Sequence, residues 1–308
     1  MVMDLRRCEG HGTKYTSVIN KIITTAVPTH HLPERTMPSI FPLEIEETIL
    51  DFLAEDDRGH SALKMCSLVC QAFLHTCRKH IFGKIVLNPS ASESYDVGSM
   101  CLTARAFENL LRETPEIADY IHKLDFNIRK LIENLTIPSI QKLLKQISKV
   151  EFLTVRQHGW QIFEWSNNSL RPALLHLLHL PTLTHFKVAG IKNFVASDLI
   201  PCVNLKCLDI GGYTTVAAET TFPAVFPEHS IQLNAFVVGI GTDNAIMKLR
   251  TARRPDGQPI IDFGSLSMIT VGFEKPAECK ASLEMFRHCH ALTNAHISCK
   301  RIRAISLP

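Results

Sequence analysis

The sequence predicts an α/β protein in which a small N-terminal helical unit precedes an irregular α/β solenoid. Two patterns carry that expectation. Between Phe41 and about Asn88, apolar residues recur at helical spacing, and the remainder repeats a loose L-x-x-L-x-I phrase seven times. Composition agrees, because 308 residues at 45% hydrophobic and 20% charged allow a sizeable core in one or two domains.

The helical unit begins at FPLEIEETILDFLAEDDRGH, where Ile45, Ile49, Phe52 and Leu53 fall at i, i+4, i+7 and i+8 and make one apolar stripe. Pro42 suits a first helical turn, since its φ is fixed there and its missing N–H is not needed. Glu44, Glu46 and Glu47 lie near the positive end of the helix dipole, and the run at 56–59 ends the helix. A second helical stretch, SALKMCSLVCQAFLHTCRKHIF, carries Leu63, Cys66, Val69, Cys70, Phe73, Cys77 and Ile81 at spacings of three and four. Ile85 to Leu87 has the composition of a short strand, and the Ser-rich segment 89–99 reads as a linker. Residues 1–38 lack sustained periodicity and read as a flexible leader. Arg6, Arg7, Lys14 and Lys21 raise the alternative of an amphipathic presequence, against which Asp4 and Glu9 count.

In the repeat region, residues 100–308, the phrases are Ile121-Leu124-Phe126, Val150-Leu153-Val155, Leu183-Phe186-Val188 and Leu205-Leu208-Ile210, then Leu233-Phe236-Val238, Leu266-Ile269-Val271 and Leu292-Ala295-Ile297. Their central residues are separated by steps of 29, 33, 22, 28, 33 and 26. That period lies around the leucine-rich-repeat range, in which each unit adds a strand to a parallel sheet and returns by a helix or turn. Helical patterns at Phe107–Leu111, Leu131–Ile147 and Ala173–Leu180 precede the first three phrases. Regular leucine-rich repeats hold Asn or Cys three residues past the last strand position, whereas these sites hold Arg129, His158, Ile191, Tyr213, Gly241, Glu274 and Lys300. An irregular solenoid is therefore expected.

FPLEIEETILDFL followed by LKMCSLVCQAF resembles the F-box family, whose motif opens with Leu-Pro before a helix and later carries Val-Cys-x-x-Trp/Phe. Phe41 and Pro42 take the opening pair, and Val69, Cys70 and Phe73 the later one. Phe41 stands where Leu is usual, and Gln71 where a basic residue is common. ETPEIADYIHKLDF and LPTLTHFKVAG are similar to phrases of large fungal F-box families. The resemblance implies an F-box over 39–88 that docks a Skp-family adaptor and, through it, a cullin–RING ligase. The repeats would then select an unidentified protein substrate for ubiquitin-dependent degradation, with no chemistry performed by the chain itself. A scaffold of the same fold acting outside a ligase is the alternative. A small helical unit cannot bury all its apolar surface, so Pro42, Leu43, Ile45, Ile49, Leu68, Val69 and Phe73 are the expected adaptor contacts.

Other function classes lose support. A net charge of +3 from 33 basic and 30 acidic residues, interspersed along the chain, does not suggest nucleic acid or an anionic membrane. No signal peptide or membrane span is expected, because the longest apolar stretch, Ala173–Leu180, is short and interrupted by His176 and His179. The ten cysteines are too dispersed for a secreted disulfide scaffold, which suits reduced thiols in cytoplasm or nucleus.

Cys66, Cys70, His75, Cys77 and His80 have zinc-ligand chemistry without paired-ligand spacing, so core packing is expected and no metal or cofactor is assigned. Arg287-His288-Cys289-His290 places a thiol beside imidazoles, but adjacency does not orient a base, and a polar turn is the expectation. The aromatic cluster Trp160, Phe163 and Trp165 makes Trp160 and Trp165 candidate target-binding residues. Packing beneath the helix at Ala173–Leu180 is the plainer alternative.

Overall fold

The structure, a computed structural model, describes residues 43–55, 59–68, 71–87, 99–157, 163–217 and 227–299. The chain divides into two compact units, 1–124 and 125–308. The leader at 1–38, most of the predicted linker and the segment 300–308 lie outside the described residues.

The first unit opens with α1 (Leu43–Glu55), whose sequence has no Gly or Pro to interrupt it. The second helical stretch is two helices rather than one: α2 (Gly59–Cys66) ends where Ser67 N–H bonds Leu63 O and Leu68 N–H bonds Met65 O, and α3 (Gln71–Phe82) follows. The Ser67 hydroxyl competes for the backbone by donating to Lys64 O at 2.7 Å, which favours a turn over continued helix. Leu50, Leu63, Cys77, Ile81 and Phe82 form the interior of these helices.

Gly83 lets the chain leave α3, since a Cβ there would stand 2.6 Å from Lys79 O. Then β1 (Lys84–Leu87) pairs in parallel with β2 (Met100–Leu102), and Thr103 caps α4 (Ala104–Glu113) by accepting from Ala106 N–H at 3.1 Å. A 3-10 turn, Pro115–Tyr120, completes the unit. The sequence reading assigns β2 and α4 to the domain beyond residue 100, whereas the division of the chain groups them with the helices.

The chain crosses from one unit to the other within β3 (Lys123–Asn127). The predicted helix at 131–147 is again a pair, α5 (Ile128–Asn134) and α6 (Ile137–Lys145), the second entered through Pro138 in its first turn. There follow β4 (Phe152–Arg156), β5 (Phe163–Glu164), α7 (Arg171–Leu178), β6 (His185–Ala189), β7 (Ile191–Lys192) and β8 (Cys207–Ile210). The last part holds β9 (Ile231–Gln232), β10 (Ala235–Val238), α8 (Asp243–Thr251), β11 (Ile261–Asp262), β12 (Met268–Phe273), α9 (Pro276–Phe286) and β13 (Asn294–Cys299).

Each of the seven apolar phrases runs into a strand, with its last two residues on the strand. From β4 onward they make one parallel ladder, β4-β6-β8-β10-β12-β13, with Leu153, Phe186, Leu208, Phe236, Ile269 and Ala295 in register. Through β12 the phrase residues are buried, together with Ile140 and Leu144 of α6, Leu174 and Leu177 of α7, and Ile246 and Leu249 of α8. On β13 the pattern changes, since all six strand residues are exposed, Ile297 among them. The opposite face carries Phe152 stacked on His185 at 4.1 Å and the ion pairs Lys187–Asp209 and Arg156–Asp125. Two short parallel pairs, β5–β7 and β9–β11, lie outside this ladder.

Past the strands, where Asn or Cys is missing, the chain turns through positive φ at Gly190 (70°), Tyr213 (61°) and Gly241 (82°). Buried polar side chains serve the backbone there. Thr242 donates to Gly239 O at 2.6 Å, and the Glu278 carboxylate accepts from Gly241, Glu274 and Lys275 N–H. Burial alone would raise the Glu278 carboxyl pKa, but these three N–H groups outweigh it and hold it below the usual glutamate value.

Candidate functional site

A helix with one apolar stripe ordinarily turns that stripe inward. In α1 the residue that turns inward is Leu50, 3% exposed, while Ile45, Ile49 and Phe52 are 45%, 49% and 70% exposed. Positions 45, 49 and 52 are separated by four and three residues, so they lie one above another on one helix face. Met65 of α2 and Leu68 in the turn after it add 67% and 41% exposure. Single exposed apolar residues are common on protein surfaces, whereas here five large ones fall within 24 residues of chain. The charged residues around the stripe are acidic on α1: Glu44, Glu47 and Asp51 are exposed.

Polar contacts tie these helices to one another and to the 3-10 turn. His80 Nε2 of α3 stands 2.9 Å from Asp51 Oδ1 of α1. Burial lowers the His80 pKa, and Asp51 only partly offsets that shift. Burial likewise lowers the Lys64 pKa. Arg78, 8% exposed, reaches Glu116 at 3.4 Å, and the Tyr120 hydroxyl pairs with His75 Nδ1 at 3.0 Å.

Of the expected adaptor contacts, the structure places Ile45, Ile49 and Leu68 at the surface, while Phe73 is half-buried. Leu43 is the first residue of α1, and Pro42 and Val69 lie outside the described residues. Sequence reasoning omitted two of the most exposed members. Phe52 was legible, because it continues the Ile45–Ile49 row, whereas Met65 carries no periodic signal that separates it from core.

Trp165 corrects the expectation of a target-binding residue. It is 1% exposed, its indole N–H donates to Asp198 Oδ2 at 2.6 Å, and its ring packs at 4.9 Å from Phe194. A buried indole with its one donor satisfied has nothing left to offer a partner. Its companion Trp160 lies outside the described residues, as does Cys70 of the cysteine and histidine group. The other members of that group have separate environments: Cys77 is fully buried, His75 meets Tyr120, and His80 meets Asp51. The Cys289 thiol donates to Met285 O at 3.4 Å, and burial raises its pKa, which disfavours the thiolate. No family model matches this chain, and no curated protein matches it.

Proposed function

We propose that the chain is the substrate-recognition subunit of a Skp–cullin–F-box ubiquitin ligase. In this reading α1, α2 and α3 are the F-box and dock a Skp-family adaptor, while the parallel ladder is an irregular leucine-rich-repeat-like solenoid that holds a target protein. The observation that carries the proposal is the outward-facing row Ile45, Ile49 and Phe52, a helix face whose apolar surface gains about 25 cal/mol per Å² when a partner covers it. The order of elements supports it too, because the two helical segments that resemble the motif lie side by side and are followed by a strand.

The chain would contribute position rather than chemistry. Holding a target beside a ubiquitin-loaded enzyme raises the effective concentration of the acceptor lysine. The test is co-purification of the full chain with a Skp-family adaptor, using Ile49→Asp and Phe52→Asp. Both side chains are exposed, so the variants should keep the wild-type melting temperature and lose the adaptor. Undiminished co-purification of the double variant would overturn the proposal, and adaptor bound without any cullin would favour a scaffold outside a ligase.

A further inference from the structure

The turn 287–290, unpromising as a nucleophilic site, forms one wall of a cleft of about 260 Å³ in the second unit. We infer that this cleft binds a phosphate monoester carried on a small ring. Its polar lining combines Arg250, Arg253, His288 and His290 with Thr251 and Asp262, and its apolar lining is Pro259, Ile261 and Phe263.

The two arginines reach the cleft from the C-terminal end of α8. Arg250 Nη1 stands 3.4 Å from His288 Nε2, which brings a guanidinium and an imidazole to one place. Arg253 is tied to the backbone through Nη1, which donates to Arg250 O at 3.0 Å and Ala252 O at 3.1 Å. That tether holds the guanidinium at the mouth instead of leaving it to sweep through solvent.

Two carboxylates stand near the arginines: Asp262 lines the cleft, and Glu284 pairs with both Arg287 and Arg250. Asp262 accepts Gly264 N–H at 2.9 Å as the cap of a short 3-10 turn, and Glu284 holds Arg287 at 2.8 Å while standing 4.0 Å from Arg250. The lining carries two guanidinium groups against one carboxylate, Asp262, and this surplus of positive charge favours an anion.

Shape and donor number select among anions. Guanidinium forks match oxyanions in pairs, and a phosphate monoester brings three strong acceptor oxygens and close to two negative charges. A carboxylate has two oxygens and one charge, too few for four donor-bearing side chains. The apolar side adds a second requirement. Phe263, held edge-on by Phe236 at 5.4 Å, and buried Ile261 give a fixed surface against which a ring can lie.

This inference does not rest on adaptor docking, and either can fail alone. The experiment is calorimetric titration of the full chain with phenyl phosphate, inorganic phosphate and benzoate. Phenyl phosphate should bind tightest and weaken as salt is raised. The variant Arg253→Gln/His290→Gln, changed at two exposed positions, should keep its melting temperature and bind phenyl phosphate about tenfold more weakly. Any of three results would overturn the inference: no saturable binding of phenyl phosphate below about 10 mM, benzoate or inorganic phosphate binding as tightly, or an unchanged affinity in the variant.

Discussion

Asp198→Ala should unfold the second unit more readily than any exposed-face substitution, and the size of the loss follows from what the carboxylate holds. Asp198 accepts from Trp165 Nε1 at 2.6 Å and from Arg171 Nε and Nη2 at 3.0 and 2.6 Å, joining the segment before α7 and the first turn of α7 to the 3-10 turn at Ala196–Leu199. Removing it orphans a fully buried indole N–H, which costs about 1–3 kcal/mol. A fully buried guanidinium stripped of its partner would cost about 3–5 kcal/mol more. The Arg171 side chain is 24% exposed and can turn to water, so only a fraction of that applies. A total of about 3 kcal/mol follows, which lowers the melting temperature by about 6–12 °C in a unit of this size. Urea unfolding followed by tryptophan fluorescence measures it. Trp165→Phe, which leaves the Arg171–Asp198 pair intact, should cost less. A loss below about 1 kcal/mol for Asp198→Ala would refute the claim that this network anchors the segment.

Three further outcomes are expected. Glu278→Ala removes the acceptor of three backbone N–H groups and should cost about 2–4 kcal/mol in urea unfolding. Because the folded Glu278 pKa is depressed, its contribution is complete above the unfolded value near ~4.3 and is lost as pH falls through the folded value. His80 also has a depressed folded pKa, so the first unit should lose stability as pH falls below about 6.5, a slope that His80→Gln should flatten in circular-dichroism melts. Gly211→Ala should lower the melting temperature, since its Cβ would meet Ala189 Cβ at 2.5 Å, more than Gly257→Ala, where positive φ is the only obstacle.

The strands were legible because their phrases place three apolar residues where a strand and its approach need them, and parallel pairing buries that face continuously. Helix continuity was less legible. Spacing alone joined α2 to α3 and α5 to α6, because apolar periodicity persists across a turn that local polar groups such as Ser67 create. The absence of Asn and Cys past the strands is visible in the sequence, but the groups that serve the backbone in their place are not. Glu278 is remote from Gly241 along the chain, and only folding brings its carboxylate under that turn. For the same reason the lining of the Arg250–His290 cleft could not be read from residues 287–290 alone. In the row Ile45–Ile49–Phe52, Ile45 and Ile49 were expected at the surface and Phe52 was not, since periodicity names a face and not what it faces.

The ladder from β4 to β13 also has mechanical consequences. Each strand is bonded to neighbours that are also its neighbours along the sequence of phrases, so among the described residues no strand ties the two ends of the ladder together. A pull on β13 should therefore peel it from β12 before β10 is loaded. The step from Ile269 to Ala295 is 26 residues, so that first event should release about 90 Å of extended chain, and successive events should form a staircase in a force–extension trace.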